Sequence, residues 1–374
     1  MPEIPFLDLQ SVNAPIQEEL DAAVERVLHS GHYLRGAATA QFEQAYASYI
    51  GTRHCVGVSN GLDALTLIFR AYKELGVLSE GDEVIIPANT YIATMLAVVE
   101  NGLVPVLVEP DVHTLQIDAA QIASAVTPRT RCLLIVHLYG RCAYSQQIEQ
   151  LCAEHHLLLV EDNAQAHGCQ YQGRRTGSLG HAAGHSFYPT KPLGAFGDAG
   201  AVTTDDEALA QMVRTLANYG SAERYRFDYL GRNCRIDELQ AAILSVKLRH
   251  LDADNAHRCA LARIYYDTIQ QPLVQLPEAP EAGQHVYHLF PVLCERRDAL
   301  QAFLLSRGIH TDIHYPIPPH QQAAATVHGS CFVHGPLPLT EQLHRQELSL
   351  PLNTALTLEQ AAYIAEQINQ FESF

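Results

Sequence analysis

A regular alternation of short apolar runs and helical patterns between residues 54 and 160 constrains the fold more than any other feature of the sequence. Short apolar runs predict strands at residues 55–58, 83–86, 104–108, 132–136 and 157–160. Helical spacing of apolar residues predicts helices between them, at residues 62–75, 92–99, 119–126 and 145–156. Because the runs are continuously apolar, we expect helices to cover both faces of each strand. The pattern therefore predicts an α/β fold with a mostly parallel sheet and right-handed crossovers.

The pattern changes after Val160. Shorter strands are predicted at residues 185–187 and 200–203, followed by helices at residues 207–216, 237–248 and 252–269. The rest of the chain predicts a strand at residues 286–293 and helices at residues 298–306 and 357–371. A chain of 374 residues is long enough for one large domain and one smaller domain. We expect a large domain over residues 1–250 and a smaller C-terminal α+β domain over residues 251–374.

Composition excludes several classes of function. A formal net charge of −17 without a lysine-rich stripe argues against nucleic acid as a partner. The nine cysteines form no C-x-x-C pair, which favours reduced thiols over a disulfide framework. No apolar run is long enough to span a membrane and no secretory leader pattern is present, so we expect a cytoplasmic protein without a membrane partner. Pro316, Pro318 and Pro319 interrupt the cluster of His310, His314 and His320, so no single helical face presents all three and no metal site is predicted.

Lys191 is the first candidate for chemistry. The sequence contains only three lysines, and Lys73 and Lys247 lie in helical patterns, where a solvated amine is the default. Lys191 instead follows a strand-like run, lies between two prolines and precedes a glycine-rich stretch. An amine in a non-helical, partly desolvated turn has a lowered pKa and attacks carbonyl groups, as a Schiff-base lysine does. A surface lysine in a flexible loop is the alternative.

Polar residues also follow the predicted strands. Residues 59–63 lie where a strand ends and a helix begins, and the free N–H groups of such a helix start suit a phosphate, although a plain helix cap is the alternative. Asp162 follows the strand at residues 157–160, where a carboxylate meets a ligand and suits a protonated pyridine nitrogen, unless it only caps a turn. Tyr91 suits an aromatic cofactor face or simple core packing. No G-x-G-x-x-G or Walker motif competes for the phosphate. Together with Lys191, these parts suit pyridoxal 5′-phosphate (PLP).

Five segments resemble the DegT/DnrJ/EryC1/StrS family of nucleotide-sugar aminotransferases. They are residues 60–65, 90–94, 161–168, 186–200 and 231–242. The resemblance extends from about residue 4 to the C-terminus. It implies the PLP-dependent type I aminotransferase fold, a homodimer with shared active sites, and L-glutamate as the amino donor.

The family pattern implies a role for individual residues. Lys191 would be the Schiff-base residue and proton shuttle, and Asp162 would pair with the pyridine nitrogen. Gln165 would bind the ring hydroxyl, and Tyr91 would stack on the ring. The phosphate contacts would be Gly61, Leu62, Ser186 and, from the neighbouring subunit, Asn233. Two residues depart from the family pattern: Leu62 replaces a frequent threonine, and Pro192 replaces the usual asparagine after the lysine.

Residues 286–290 and 313–320 resemble the branch of the family that acts on dTDP-3-keto-6-deoxyhexoses. Tyr188, His314 and Tyr315 are the expected hexose contacts, and Arg224 is the expected pyrophosphate contact. The alternatives are core packing for Tyr188, a rigid domain connector for the loop that contains His314 and Tyr315, and a solvated side chain for Arg224. The branch implies a 3-amino-3,6-dideoxyhexose product, used for example in a lipopolysaccharide O-antigen.

Three other functions are consistent with parts of this sequence. The enzyme would aminate C4 of the sugar instead of C3 if the 313–320 segment is misleading. A sugar dehydratase of the same family would carry histidine in place of Lys191, which argues against that activity. A non-catalytic ligand-binding protein would not need the lysine.

Overall fold

The computed structural model describes residues 3–327 and 335–372. The first part of the chain forms α1 (Leu9–Asn13), α2 (Gln17–Ser30), α3 (Ala37–Ile50), β1 (His54–Val58), α4 (Gly61–Glu74), β2 (Glu83–Pro87), α5 (Ile92–Val99), β3 (Val104–Val108), α6 (Ala119–Ala125), β4 (Thr130–Val136), α7 (Gln146–Glu154) and β5 (Leu158–Asp162). The second part forms β6 (Gln170–Tyr171), β7 (Arg174–Arg175), β8 (Ala182–Ser186), β9 (Gly200–Thr204), α8 (Glu207–Leu216), α9 (Glu238–Thr268), β10 (Phe290–Leu293), α10 (Arg297–Ser306), α11 (Ala323–Val327), α12 (Pro338–Gln346), β11 (Glu347–Leu350) and α13 (Leu358–Asn369).

A seven-stranded sheet forms the centre of the large α/β part, in the order β1-β9-β8-β5-β4-β2-β3. Strands β8, β5, β4, β2 and β3 pair in parallel. Strand β9 runs antiparallel to both of its neighbours, β1 and β8. The predicted mostly parallel α/β architecture is therefore confirmed. Since the carboxyl ends of the parallel strands meet at one edge, this edge is where a ligand site is expected.

Helices cover both faces of the sheet, as the continuously apolar runs predict. On one face, α4, α5 and α8 bury their apolar side chains against β2 and β4. On the other face, α6 and α7 contribute Ile122 and Ile148, which pack on Leu133 and Ile135 of β4. Each such buried aliphatic side chain contributes about 1.5–3 kcal/mol of hydrophobic stabilisation. The sheet is thus a rigid platform for the loops at its edge.

Polar caps start the helices that follow strands. The side chain of Asn60 accepts the Asp63 N–H at the start of α4, and Ser145 and Asp206 do the same for α7 and α8. A cap of this kind contributes about 1 kcal/mol. These caps place the first turn of α4 directly beyond the end of β1, where the sequence predicts it.

The C-terminal part has its own core and its own small sheet. Strands β10 and β11 pair antiparallel, and they pack with the second half of α9, α10 and α13 in one apolar cluster. The sequence pattern predicts this smaller α+β unit. Because α9 runs continuously across residue 250, the boundary between the two predicted domains falls inside a helix, and it stays a prediction.

Two predicted elements and one predicted side-chain environment differ from the structure. The two helices predicted at residues 237–248 and 252–269 are one helix of 31 residues, because neither glycine nor proline interrupts residues 249–251. The strand predicted at residues 286–293 is only β10, because Tyr287 adopts a left-handed φ of 50° that breaks the extended backbone. Lys247 is not a fully solvated amine: it lines a cavity, and burial lowers its pKa to about 8.

In the described part of the chain, no helix combines the length and the hydropathy that crossing a membrane requires.

Candidate active site

A cavity of about 1320 Å³ opens at the carboxyl edge of the sheet. It is lined by ten of the twelve residues that the sequence assigns to the site: Gly61, Leu62, Tyr91, Asp162, Gln165, Ser186, Tyr188, Lys191, His314 and Tyr315. These residues come from five separate segments of the chain, which the fold brings together at this edge. The two remaining residues, Asn233 and Arg224, lie outside this cavity.

Lys191 lies in the loop after β8. Its backbone N–H donates to the carbonyl oxygen of Tyr188, which closes a tight turn between the two flanking prolines. Burial lowers the pKa of the Lys191 amine to about 8, against the opposing charge of Asp162. A neutral, nucleophilic amine is therefore available near neutral pH, as a Schiff-base lysine requires.

Asp162 ends β5 and is 7% exposed. Thr94 Oγ1 donates to its Oδ2 at 2.9 Å, and the Ala164 N–H donates to its Oδ1 at 3.2 Å. Burial raises the pKa of this carboxyl, while the two hydrogen bonds and the charge of Lys191 oppose the rise. Among the described residues, no cationic nitrogen lies within 4.0 Å of it. A buried carboxylate that faces a cavity and has no ion-pair partner among the described residues fits a protonated pyridine nitrogen.

The start of α4 fits a phosphate. Asn60 accepts the Asp63 N–H through its side chain and the Ala64 N–H through its carbonyl oxygen. Within the described chain, the N–H groups of Gly61 and Leu62 are left at the helix start without a partner. A Cβ added to Gly61 would lie 2.5 Å from the Ser186 Cβ, so glycine allows the helix start to approach β8. The helix dipole and these N–H groups favour an anion here.

Two aromatic residues and an amide complete the wall of the cavity. Tyr91 is 51% exposed, and its ring centroid lies 5.0 Å from that of Tyr315. Gln165 Nε2 donates to the Tyr315 hydroxyl at 3.1 Å, and its Oε1 accepts the Tyr139 N–H at 2.5 Å. Tyr91 is thus free to cover a flat ring, while Gln165 is held in place from two sides.

His314 and Tyr315 are neighbours in the chain and both line the cavity. Tyr139 donates its hydroxyl to the carbonyl oxygen of His314 at 2.7 Å. The imidazole stacks on Phe6, with ring centroids 5.8 Å apart. Burial lowers the pKa of His314 to about 4, so the ring is neutral near pH 7. A neutral imidazole and a phenol at a cavity wall suit the hydroxyl groups of a sugar.

Asn233 and Arg224 are exposed on a loop before α9. Arg224 stacks its guanidinium over the Tyr225 ring, 4.8 Å from the centroid. Neither residue reaches the cavity of its own chain, which agrees with the expectation that Asn233 serves a neighbouring subunit. The assignment of Arg224 to a pyrophosphate stays a prediction.

Sequence reasoning missed the residues that hold the site residues in place. Thr94 binds Asp162, Tyr139 binds both Gln165 and His314, and β11 supplies Glu347 and Ser349 beneath His314. A signal was present for β11, because Glu347 and Ser349 alternate with Leu348 and Leu350, which is the period of a strand.

Comparisons with known proteins agree with this geometry. The family model of the DegT/DnrJ/EryC1/StrS aminotransferase family matches residues 14–369. The dTDP-3-amino-3,6-dideoxy-alpha-D-galactopyranose transaminase of Aneurinibacillus thermoaerophilus is 47% identical over 98% of this chain and 99% of that protein. The dTDP-3-amino-3,4,6-trideoxy-alpha-D-glucose transaminase of Streptomyces venezuelae is 45% identical over 99% of this chain and 96% of that protein.

A solved structure gives the same result. The crystal structure of S. venezuelae DesV in complex with a ketimine intermediate matches with a TM-score of 0.94 and 45% identity, covering 99% of this chain and 98% of that chain. The predicted fold, enzyme class and family are therefore confirmed. This chain belongs to the DegT/DnrJ/EryC1/StrS aminotransferase family.

Proposed function

We propose that this protein is a PLP-dependent aminotransferase that converts a dTDP-3-keto-6-deoxyhexose into the dTDP-3-amino-3,6-dideoxyhexose, with L-glutamate as the amino donor. The observation that carries the proposal is the single cavity that holds a half-buried lysine with a lowered pKa, a buried carboxylate without an ion-pair partner and the free N–H groups of a helix start. Two relatives at 45–47% identity that are named as dTDP-3-amino-sugar transaminases support the nucleotide and the C3 position. The O-antigen as destination stays a prediction.

Different residues of the cavity would bind different parts of the cofactor. Gly61, Leu62 and Ser186 would bind the phosphate, Asp162 would keep the pyridine nitrogen protonated, and Tyr91 would cover the ring. Bound PLP supplies an electron sink for the charge that develops when a proton leaves the carbon that carries the amine. Because Asp162 is buried, its charge is screened little by water and acts strongly on that nitrogen.

Lys191 would hold the cofactor through its Nζ atom before the donor arrives. Its freed amine would then move the proton between the carbon that carries the amine and the cofactor. The lowered pKa of about 8 leaves part of the amine neutral near pH 7.5, so it accepts a proton readily. When the keto-sugar replaces the donor, the same amine moves the proton in the opposite direction.

We expect a homodimer with shared sites. Asn233 lies outside the cavity of its own chain, and the loop before it exposes Tyr225, Phe227 and Leu230, which are 79%, 61% and 86% exposed. A cluster of exposed apolar side chains is typical of a protein interface.

Cytoplasmic location is proposed because all eight described cysteines are free, as in a reducing compartment.

Transfer of nitrogen from ¹⁵N-labelled glutamate to the sugar tests the function. Lys191→Ala should abolish the transfer and keep the fold. Lys73→Ala is the matched control, because Lys73 lies outside the cavity lining and its amine donates to the Asn101 carbonyl oxygen. Transfer by the Lys191→Ala variant would refute the role of Lys191.

Complementation tests the shared site. Lys191→Ala and Asn233→Ala chains, each defective alone at limiting cofactor, should regain activity when mixed, because one of the two sites in each mixed dimer carries neither change. Random mixing predicts about a quarter of wild-type activity. No recovery on mixing would show that Asn233 serves its own chain.

A further inference from the structure

A chain of hydrogen bonds leads from the cavity wall into the C-terminal sheet. Asp312 and Ser349 pair antiparallel through two backbone hydrogen bonds of 3.2 and 2.8 Å, and this register places Glu347 opposite His314. The His314 N–H donates to Glu347 Oε2 at 2.6 Å. Ser349 Oγ lies 2.5 Å from Glu347 Oε1 and 2.9 Å from His314 Nδ1. The hydroxyl of Ser349 therefore bridges the carboxyl group and the imidazole.

A serine hydroxyl has one proton, so the direction of both bridging bonds depends on Glu347. When Glu347 is ionised, Ser349 donates to the carboxylate, and His314 must donate from Nδ1, which leaves Nε2 as an acceptor. When Glu347 carries a proton on Oε1, it donates to Ser349, and Ser349 donates to Nδ1. The proton of the neutral imidazole then lies on Nε2, which becomes a donor.

We propose that Glu347, acting through Ser349, is a positioning residue that sets whether His314 Nε2 donates or accepts a hydrogen bond toward the sugar. His314 lines the cavity. The proposal rests on the proposed function only in that His314 would contact the hexose. The carboxyl group itself does not touch the substrate.

The surroundings of Glu347 favour the protonated state near neutral pH. Glu347 is 2% exposed, and burial raises its pKa to about 8 against the hydrogen bonds from Ser349 and His314. Charged or titratable groups surround Glu347 and His314 on the neighbouring elements: Arg297, Asp312, Lys191, Tyr139, Tyr315, His288 and His344. Asp312 Oδ2 lies 3.9 Å from His314 Nε2, and its negative charge also favours a proton on that nitrogen.

Glu347 therefore makes His314 Nε2 a hydrogen-bond donor below about pH 8 and an acceptor above that pH. A donor suits a ketone or hydroxyl oxygen of the sugar, whereas an acceptor suits only a hydroxyl. The two relatives named above differ in whether the sugar keeps its C4 oxygen, so this contact bears on which sugars the site accepts.

Three variants test whether Glu347 acts on His314 through the Ser349 hydroxyl, a hydrogen-bond relay, or only supports the fold. In Glu347→Gln, the amide carbonyl still accepts the His314 N–H, and the amide N–H₂ donates to Ser349, which locks Nε2 as a donor at every pH. In Ser349→Ala, the backbone contact remains and the bridge is lost, while Ser349→Thr restores the hydroxyl. The matched controls are Glu366→Gln and Ser306→Ala, both exposed and away from the cavity.

The two half-reactions of the holoenzyme are measured separately between pH 6 and 9.5. Because Lys191 also has a pKa of about 8 and is present in both proteins, the informative quantity is the ratio of the wild-type rate to the Glu347→Gln rate for the reaction of the amine-loaded enzyme with the keto-sugar. This ratio should change near pH 8. Ser349→Ala should slow this reaction about tenfold, with recovery in Ser349→Thr. The reaction with glutamate should be unaffected in every variant. Equal effects on both half-reactions, or a ratio of wild-type to Glu347→Gln rates that does not change with pH, would overturn the proposal.

¹⁵N NMR of histidine-labelled holoenzyme gives a readout that needs no sugar. The His314 signals, assigned by their loss in His314→Gln, should show the proton on Nε2 at pH 6.5 and on Nδ1 at pH 9.5, and on Nε2 throughout in Glu347→Gln. A tautomer that does not respond to pH would refute the relay even if the enzyme uses the proposed sugar. A responsive tautomer without turnover of this sugar would instead refute the proposed substrate.

Discussion

The pH dependence of folding stability follows from the burial of Glu347. The pKa of this carboxyl is raised from 4.5 to about 8 in the folded protein. Below pH 4.5, Glu347 is protonated in both the folded and the unfolded chain, so it contributes no pH dependence. Between pH 4.5 and 8 only the folded chain holds the proton, so the free energy of unfolding falls as pH rises. Above about pH 8 the loss is complete, and the pKa difference corresponds to at most about 5 kcal/mol.

Glu347→Gln should remove this loss. The variant and the wild type should have similar stability at pH 5, where the folded wild type is neutral at this position. At pH 9 the variant should be more stable by about 2–5 kcal/mol. Chemical unfolding of both proteins at one protomer concentration measures the difference, and buried histidines cancel because both proteins contain them. Glu366→Gln is the exposed control, and it should show no such difference.

A constant stability difference between pH 5 and 9 would refute the reasoning. It would mean that Glu347 is ionised in the folded state throughout, held so by the Ser349 and His314 hydrogen bonds and by the charge of Arg297.

Two further predictions concern the cofactor site. Asp162→Asn should still bind PLP but should slow amino transfer by about two orders of magnitude, because the amide cannot hold a proton on the pyridine nitrogen; rapid transfer by this variant would contradict the role of Asp162. Gly61→Ala should lower the free energy of unfolding by about 1–3 kcal/mol and weaken PLP binding, because its Cβ would lie 2.5 Å from the Ser186 Cβ. Thermal unfolding and cofactor titration check it, and unchanged PLP affinity would remove the start of α4 from the phosphate site.

The sheet and the cofactor site could be predicted because local signals determine them. Continuous apolar runs give the buried strands, and Asp162 and Lys191 follow strand ends that the topology brings to one edge. The residues assigned to the cofactor lie in a few short segments of the sequence, so the resemblance to the family located them directly. The PLP prediction is confirmed by the family.

The residues that hold His314 in place could not be predicted because they lie far from it in the sequence. Tyr139 reaches His314 across 175 positions of the chain, and Glu347 reaches it across 33. No local spacing signals such a contact. The interruption of the predicted strand at Tyr287 is instead local: its ring stacks on His285 with centroids 3.9 Å apart, and the continuous apolar run gives no sign of this turn.

The position of the new amine tests the central claim most directly. The amine-loaded protein is mixed in separate reactions with a dTDP-3-keto-6-deoxyhexose and a dTDP-4-keto-6-deoxyhexose, and each product is analysed by mass spectrometry and NMR. The account predicts single-turnover formation of an amine at C3 from the 3-keto sugar and no product from the 4-keto sugar. An amine at C4 alone would contradict the proposed substrate and the assignment of His314 and Tyr315, while leaving the cofactor site intact.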